Sequence, residues 1–428
     1  MKPTYFYKSA VVLAILGMAA CKPTIDSEVK PSKGSADFTR YIAIGNSLTS
    51  GFADGGLYLE GQQNSFPLMI ANQMKTVGGG DFATPFFPAD KANGSGYLKL
   101  TALTNNVPTI APETSNLAVR AQVGGVNFLI RYTGEINNYG VPGIQLLYAQ
   151  VAGYGRANPY YERLLTDATL DTKYLDFVTA KPFTFFSNWL GNNDVLGYAT
   201  AGATGAAPTP KATFTALYQQ VTDKLTSNGA KGVVATIPDV TKVAYFNTVT
   251  LKTLLAAINA TPAGASVTTI YIQTGTGAVR AATAADKFTL PLSSDGVMGK
   301  PNAALQPYGL DPRNPVESKY VLDPAEIVVV NDYISSYNAS IKSIANAKGL
   351  AIVDAYALLN EYGAGKWVNG VFVNADFIKG NLFSLDGIHL TPLGYAITAN
   401  AFINAINSKY GSSIPTVDVT NYRGVKFP

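Results

Sequence analysis

Phe183-Thr184-Phe185-Phe186-Ser187-Asn188-Trp189-Leu190, followed at once by Gly191-Asn192-Asn193-Asp194, decides how this chain is read. An aromatic-rich apolar run stopped by a glycine and turn-forming residues is the mark of a strand. The same shape recurs on either side. Tyr41-Ile42-Ala43-Ile44 stops at Gly45, Val233 to Ile237 stops at Pro238-Asp239, and Leu350 to Val353 is a further short apolar run. Phe128 to Ile136 also reads as a strand, leading into Asn137-Asn138-Tyr139-Gly140-Val141-Pro142-Gly143.

Between these runs the pattern turns helical. Ser65-Phe66-Pro67 opens a helix to about Val77, with serine as cap and proline in the first turn. Further helices are expected over about Ile144 to Ala152, Tyr160 to Ala168, Lys211 to Ser227 and Leu251 to Asn259. Asp323-Pro324-Ala325-Glu326 is a capping box, after which Ile327, Val330, Ile334, Tyr337, Ile341 and Ile344 share one helical face. Thr391-Pro392 opens the last helix, whose apolar face is Tyr395, Ala399, Phe402, Ile403 and Ile406, and Tyr410-Gly411 closes it. Two stretches lose all periodicity, Gly78 to about Val126 and Thr261 to about Tyr320; both read as loop-rich or hairpin-rich insertions. Continuously apolar strands alternating with helices imply a parallel sheet covered on both faces. In such sheets the functional residues gather at the carboxyl ends of the strands. Ser47, Gly143 and Asn193 each follow an expected strand at that end, and His389 lies just before a helix.

The composition is that of a compact body. Of 428 residues 47% are apolar and 14% charged, which excludes a disordered chain. A net charge of +4 with no basic run gives no reason to expect nucleic acid as a partner. At the N-terminus, Lys2 and Lys8 flank an apolar run from Ser9 to Ala20, too short to span a bilayer. It ends in Met18-Ala19-Ala20-Cys21, which resembles a bacterial lipoprotein signal, with Met18 where leucine is more usual. The resemblance implies that Cys21, the only cysteine, is acylated and anchors the mature chain to a membrane, on its periplasmic or cell-surface face. The alternative is a plain signal peptide. Residues 22–37, polar with Pro23, Pro31, Gly34 and Ser35, read as a flexible tether, and the folded domain is expected over 38–428.

The chain has one histidine, His389, in Asp386-Gly387-Ile388-His389-Leu390-Thr391. Any imidazole proton transfer must use it. A serine hydroxyl needs such a base to become a nucleophile, the base needs a carboxylate to fix its tautomer, and the developing oxyanion needs donors. Gly45-Asn46-Ser47-Leu48-Thr49 resembles the first block of the SGNH, or GDSL-type, hydrolase family. Asn138-Tyr139-Gly140-Val141-Pro142-Gly143 is similar to the second block, Gly191-Asn192-Asn193-Asp194 to the third, and Asp386-Gly387-Ile388-His389 to the fifth, in the family's order. This resemblance implies a three-layer α/β/α flavodoxin-like fold with a five-stranded parallel sheet. It implies Ser47 as nucleophile, His389 as base and Asp386 as its orienting acid. It also implies an oxyanion hole made by the backbone N–H groups of Ser47 and Gly143 and the amide of Asn193. Asn46 stands where the family usually has aspartate, and its amide can accept the same turn hydrogen bonds. The expected substrate is an acyl ester, on a glycan or a lipid.

Plainer readings exist for each residue: a core histidine, a turn serine at 47, turn glycines at 140 and 143, and a helix-capping Asp194. The whole chain also admits a non-catalytic lipoprotein that binds glycan or protein, or acyl transfer to a sugar by the same groups. Gly275-Thr276-Gly277 after Ile270-Tyr271-Ile272 lacks the third glycine of a dinucleotide loop, with Arg280 in its place. One histidine and one cysteine, with no calcium-loop spacing, leave no expectation of a metal or other cofactor.

Overall fold

A computed structural model describes residues 30–104 and 107–428. The expected signal, Cys21 and residues 22–29 of the tether lie outside the described residues. The centre is a parallel sheet of four strands, β1 (Tyr41–Gly45), β2 (Phe185–Trp189), β3 (Lys231–Ala235) and β4 (Ala351–Val353), in that spatial order. Tyr41 pairs with Phe185, Phe185 with Lys231, and Ala351 with Val233. Every residue of β1 and β2 is buried, as continuous apolarity requires.

The fifth strand is reduced to an edge segment. Ala43 N–H donates to Asn137 O (2.8 Å), Tyr139 N–H to Ala43 O (2.8 Å) and Val141 N–H to Gly45 O (3.0 Å). This gives one parallel bridge, Ala43 to Asn138, outside β1. The ladder does not lengthen because the Asn137 side chain takes Tyr41 O (3.0 Å), and Pro142 has no N–H to continue it. With this segment beside β1, the order is that of a flavodoxin-like sheet. The strand expected over Phe128 to Ile136 is therefore misplaced. Val126–Leu129 instead pairs antiparallel with Val119–Val123 through the two-residue turn Gly124-Gly125, both at positive φ, and local hairpin closure wins over the sheet.

Helices cover both faces. Helix α1 (Phe66–Met74) begins where Pro67 and Ser65 suggest, although the Ser65 side chain makes no cap bond, and it ends in a 3-10 turn to Val77. Further along come α2 (Asn193–Thr200), α3 (Lys211–Thr226), α4 (Pro324–Ala347) and α5 (Pro392–Tyr410). On one face Phe402 of α5 stacks on Phe66 of α1 at 4.7 Å, over Trp189 of β2. On the other, Phe214 of α3 stacks on Tyr337 of α4 at 3.8 Å. Asp323 caps α4 as the sequence requires, accepting from Ala325 and Glu326 N–H while Glu326 accepts from Asp323 N–H. The helix expected over Ile144 to Ala152 is only a 3-10 turn, Leu146–Gln150, and that over Tyr160 to Ala168 only Pro159–Glu162.

The first insertion carries the hairpin Tyr97–Thr104 with Val107–Glu113. The second builds a small core of its own around Ile270, Ile272, Phe288 and Val316. Residues 30–37, expected in the flexible tether, are bonded to the body. Ser35 N–H donates to Tyr410 O (2.9 Å), Ser413 N–H to Ser32 O (2.8 Å) and Lys231 Nζ to Ser35 O (2.5 Å). Gly34 makes this possible: it sits at φ +58°, and a Cβ there would lie 2.3 Å from Tyr410 O.

Candidate active site

Ser47 owes its position to a sharp turn after β1. Gly45 allows close packing, since a Cβ there would fall 2.1 Å from Thr49 Oγ1. The Asn46 side chain accepts from Leu48 N–H (3.0 Å), so the asparagine makes the turn bond expected of it. Ser47 then opens a single helical turn, Ser47–Ser50, closed by Gly51 at φ +84°.

His389 sits on a second tight turn. Asp386 Oδ1 accepts from the backbone N–H of Ile388 and of His389, each at 2.8 Å. Gly387 between them is at φ +72°, and a Cβ there would meet Tyr245 N at 2.8 Å. Tyr245 N–H donates to Gly387 O (2.8 Å), which ties this loop to the segment after β3. The Phe52 ring lies 4.6 Å from the imidazole and covers it.

The two turns meet across 342 positions of sequence. Ser47 Oγ is 2.8 Å from His389 Nε2, and His389 Nδ1 is 2.8 Å from Asp386 Oδ2. The imidazole and carboxylate side chains are each 14% exposed, so the chain of contacts is shielded but reachable. Burial pushes the Asp386 carboxyl upward, but the His389 imidazole and the backbone donors outweigh it and hold the group well below the usual carboxylate range. Asp386 therefore stays ionised, an acceptor that fixes the proton of His389 on Nδ1.

Asn193 and Asp194 open α2. Asn193 Nδ2 donates to Ile144 O (2.9 Å), which leaves its second amide hydrogen unused by this bond. The Asp194 carboxylate accepts from Leu146 N–H (2.7 Å), Leu147 N–H (3.4 Å) and Thr209 Oγ1 (2.7 Å). Asp194 does not cap its own helix; it caps the 3-10 turn that follows Gly143. Gly143 is exposed at φ +80°, and among the described residues no acceptor takes its N–H or that of Ser47. Asn46, Ser47, Asn192, Asn193 and His389 line one cleft with Leu48, Leu196, Pro238, Val240, Val243 and Ile388. Gly143 is not among the lining residues; it is joined to them through Ile144 and Asn193.

Two supports were not read from the sequence. Gly55 N–H donates to Asp386 Oδ2 (2.7 Å), and the buried Asp54 carboxylate accepts from Leu385 N–H (2.9 Å) and Tyr58 OH (2.7 Å). Burial raises the Asp54 carboxyl above its usual range. An Asp-Gly pair signals a turn, but nothing in it names a partner 331 positions away.

Among the described residues no cluster of three or more His, Cys, Asp or Glu is placed to hold a metal, and no helix is long and apolar enough to cross a membrane. A parallel α/β sheet carrying a hydroxyl, an imidazole and a carboxylate in line at its rim has the form of a hydrolase. The family described as GDSL-like lipase/acylhydrolase matches residues 41–402, and the chain belongs to this family of ester hydrolases. No curated protein matches it. Among solved structures it is similar to an α/β hydrolase from the metagenome of Lake Arreo, Spain (10% identity, 87% of this chain and 96% of that one, TM-score 0.38). It is also similar to a lipase/acylhydrolase from Enterococcus faecalis (12%, 88% and 100%, 0.34) and an acetyl xylan esterase from Geobacillus stearothermophilus (11%, 87% and 96%, 0.35).

Proposed function

We propose that this chain is a membrane-anchored serine esterase, held by acyl groups on Cys21 and acting through Ser47, His389 and Asp386. The observation that carries the reading is the unbroken run of contacts from Ser47 Oγ through His389 to Asp386, each 2.8 Å. Ser47 Oγ attacks the ester carbonyl carbon while His389 Nε2 takes its proton. The oxyanion is met by the N–H groups of Ser47 and Gly143 and the free amide hydrogen of Asn193. Collapse breaks the C–O bond, and the imidazolium returns the proton to the leaving alcohol. Water then attacks the acyl-Ser47 ester with His389 as base, releasing the acid and restoring the hydroxyl. Asp386 stabilises the imidazolium in both halves.

The direct test is labelling. A fluorophosphonate should modify the wild-type chain at Ser47 and leave Ser47→Ala unmodified, with hydrolysis of p-nitrophenyl esters lost in parallel. Labelling at another residue, or equal turnover by both proteins, overturns the reading. Anchoring is tested separately: incorporation of radiolabelled palmitate should disappear in Cys21→Ser.

A further inference from the structure

We propose that an apolar chamber behind Ser47 receives the acyl chain of the substrate, and that the preferred esters carry short to medium saturated chains, roughly four to eight carbons, with acetyl a poor substrate. This rests on the ester-hydrolase reading above and goes beyond it by naming the acyl class.

The chamber is a half-open recess of about 70 Å³. Four residues, Leu48, Pro238, Val243 and Ile388, line both it and the cleft that holds Ser47, Asn193 and His389. Two of these are chain neighbours of the reacting groups, Leu48 following Ser47 and Ile388 preceding His389. Both are only partly buried, and with Pro238 and Val243 they make the wall shared by chamber and cleft wholly apolar. Beyond that wall the lining is Leu358, Leu359, Phe383 and Leu390, with Tyr362 and Ala355.

Two of its three polar side chains are turned away. The Trp189 indole N–H donates to Thr236 O and Thr398 Oγ1 to Gly394 O, both at 3.0 Å. Neither is offered to a ligand, which leaves the Tyr362 hydroxyl in an otherwise aliphatic and aromatic lining, so the space suits a hydrocarbon better than a sugar. The size sets the upper limit. At about 70 Å³ it falls well below the roughly 300–1,000 Å³ of pockets that enclose a whole drug-sized ligand, so a long chain does not fit without displacing a lining side chain such as Leu359, which also borders a neighbouring cavity. A chain reaching this chamber gains burial with every methylene, and a methylene in an apolar pocket is worth roughly 10–200-fold in discrimination. Acetyl, which stops in the cleft, gains none of it.

The experiment is a chain-length profile of kcat/KM on p-nitrophenyl esters from C2 to C16. It is run on wild type, Ala355→Leu (fills the chamber) and Leu358→Ala (enlarges it), with thermal melts to establish folding. The expected wild-type maximum lies at C4 to C8, at least about tenfold above acetyl and above C16. Ala355→Leu should lose that advantage while keeping acetyl turnover, and Leu358→Ala should move the maximum to longer chains. A maximum at C2 in wild type, or a profile that neither folded variant shifts, overturns the proposal while leaving the esterase reading intact. No turnover of any ester with Ser47 unlabelled by fluorophosphonate overturns both.

Discussion

Gly55 donates its backbone N–H to Asp386 Oδ2 at 2.7 Å, the same oxygen that meets His389 Nδ1 at 2.8 Å. The carboxylate that orients the imidazole is thus itself aimed by the loop that follows Ser47. Ser47 and His389 are positioned by one another's segments, not by two independent turns. The loop is in turn fixed by Asp54, which grips Leu385 N–H and Tyr58 OH. Asp54→Ala leaves two buried donors unpartnered, each costing about 1–3 kcal/mol. The expected result in urea melts is a clear loss of stability, together with a kcat reduced more than KM is raised. Unchanged stability shows that the clasp is dispensable.

Removing members of the proposed triad should not be equivalent. Asp386→Asn keeps the shape but releases the imidazole tautomer, a change that lowers kcat by about 10⁴ in a comparable triad. Ser47→Ala and His389→Ala should fall further, by about 10⁶. Steady-state kinetics on a short-chain ester decides it, and a double variant should be no worse than the poorer single one.

Asp194 gives a prediction in pH. Burial raises its carboxyl to about 6, above the roughly 3.9 of an unfolded aspartate. Between these values the folded chain binds the extra proton. This group's contribution is therefore largest below pH 3.9 and is lost as pH rises to about 6, by roughly 3 kcal/mol in all. Asp386 has the opposite sign: its folded value is depressed, so its contribution is present above about pH 3.9 and fades only in stronger acid. Urea midpoints from pH 4 to 7 should therefore show a steeper fall, or a weaker rise, in wild type than in Asp194→Asn. Parallel curves rule the assignment out.

Gly387→Ala places a Cβ 2.8 Å from Tyr245 N at φ +72°. Strain of about 1–3 kcal/mol follows, and the loop must move with His389 upon it. The variant should melt lower and lose most of its turnover, whereas Gly229→Ala, equally left-handed but with open space around the Cβ, should cost stability alone.

The sheet was legible where side chains are apolar on both faces, as in Phe185–Trp189, because burial leaves a continuous signal. Its edge was not, because Asn137 satisfies Tyr41 O with a side chain that looks like turn chemistry in sequence. That the Ser47, Asp386 and His389 side chains meet was legible because the chain has one imidazole and the blocks around the three residues resemble those of the SGNH family. Asp54, and the true target of Asp194, were hidden: a carboxylate in sequence shows that it can accept, not whose N–H it takes across 331 or 48 positions.

Residues 32–35 are fastened at Tyr410 and Lys231, where the strands begin, while Ser47 stands just past the point where β1 ends. The five residues of β1 alone put about 17 Å between those two poles. Under the proposal that Cys21 carries lipid, the tether would therefore join the folded body at the end of the sheet opposite Ser47.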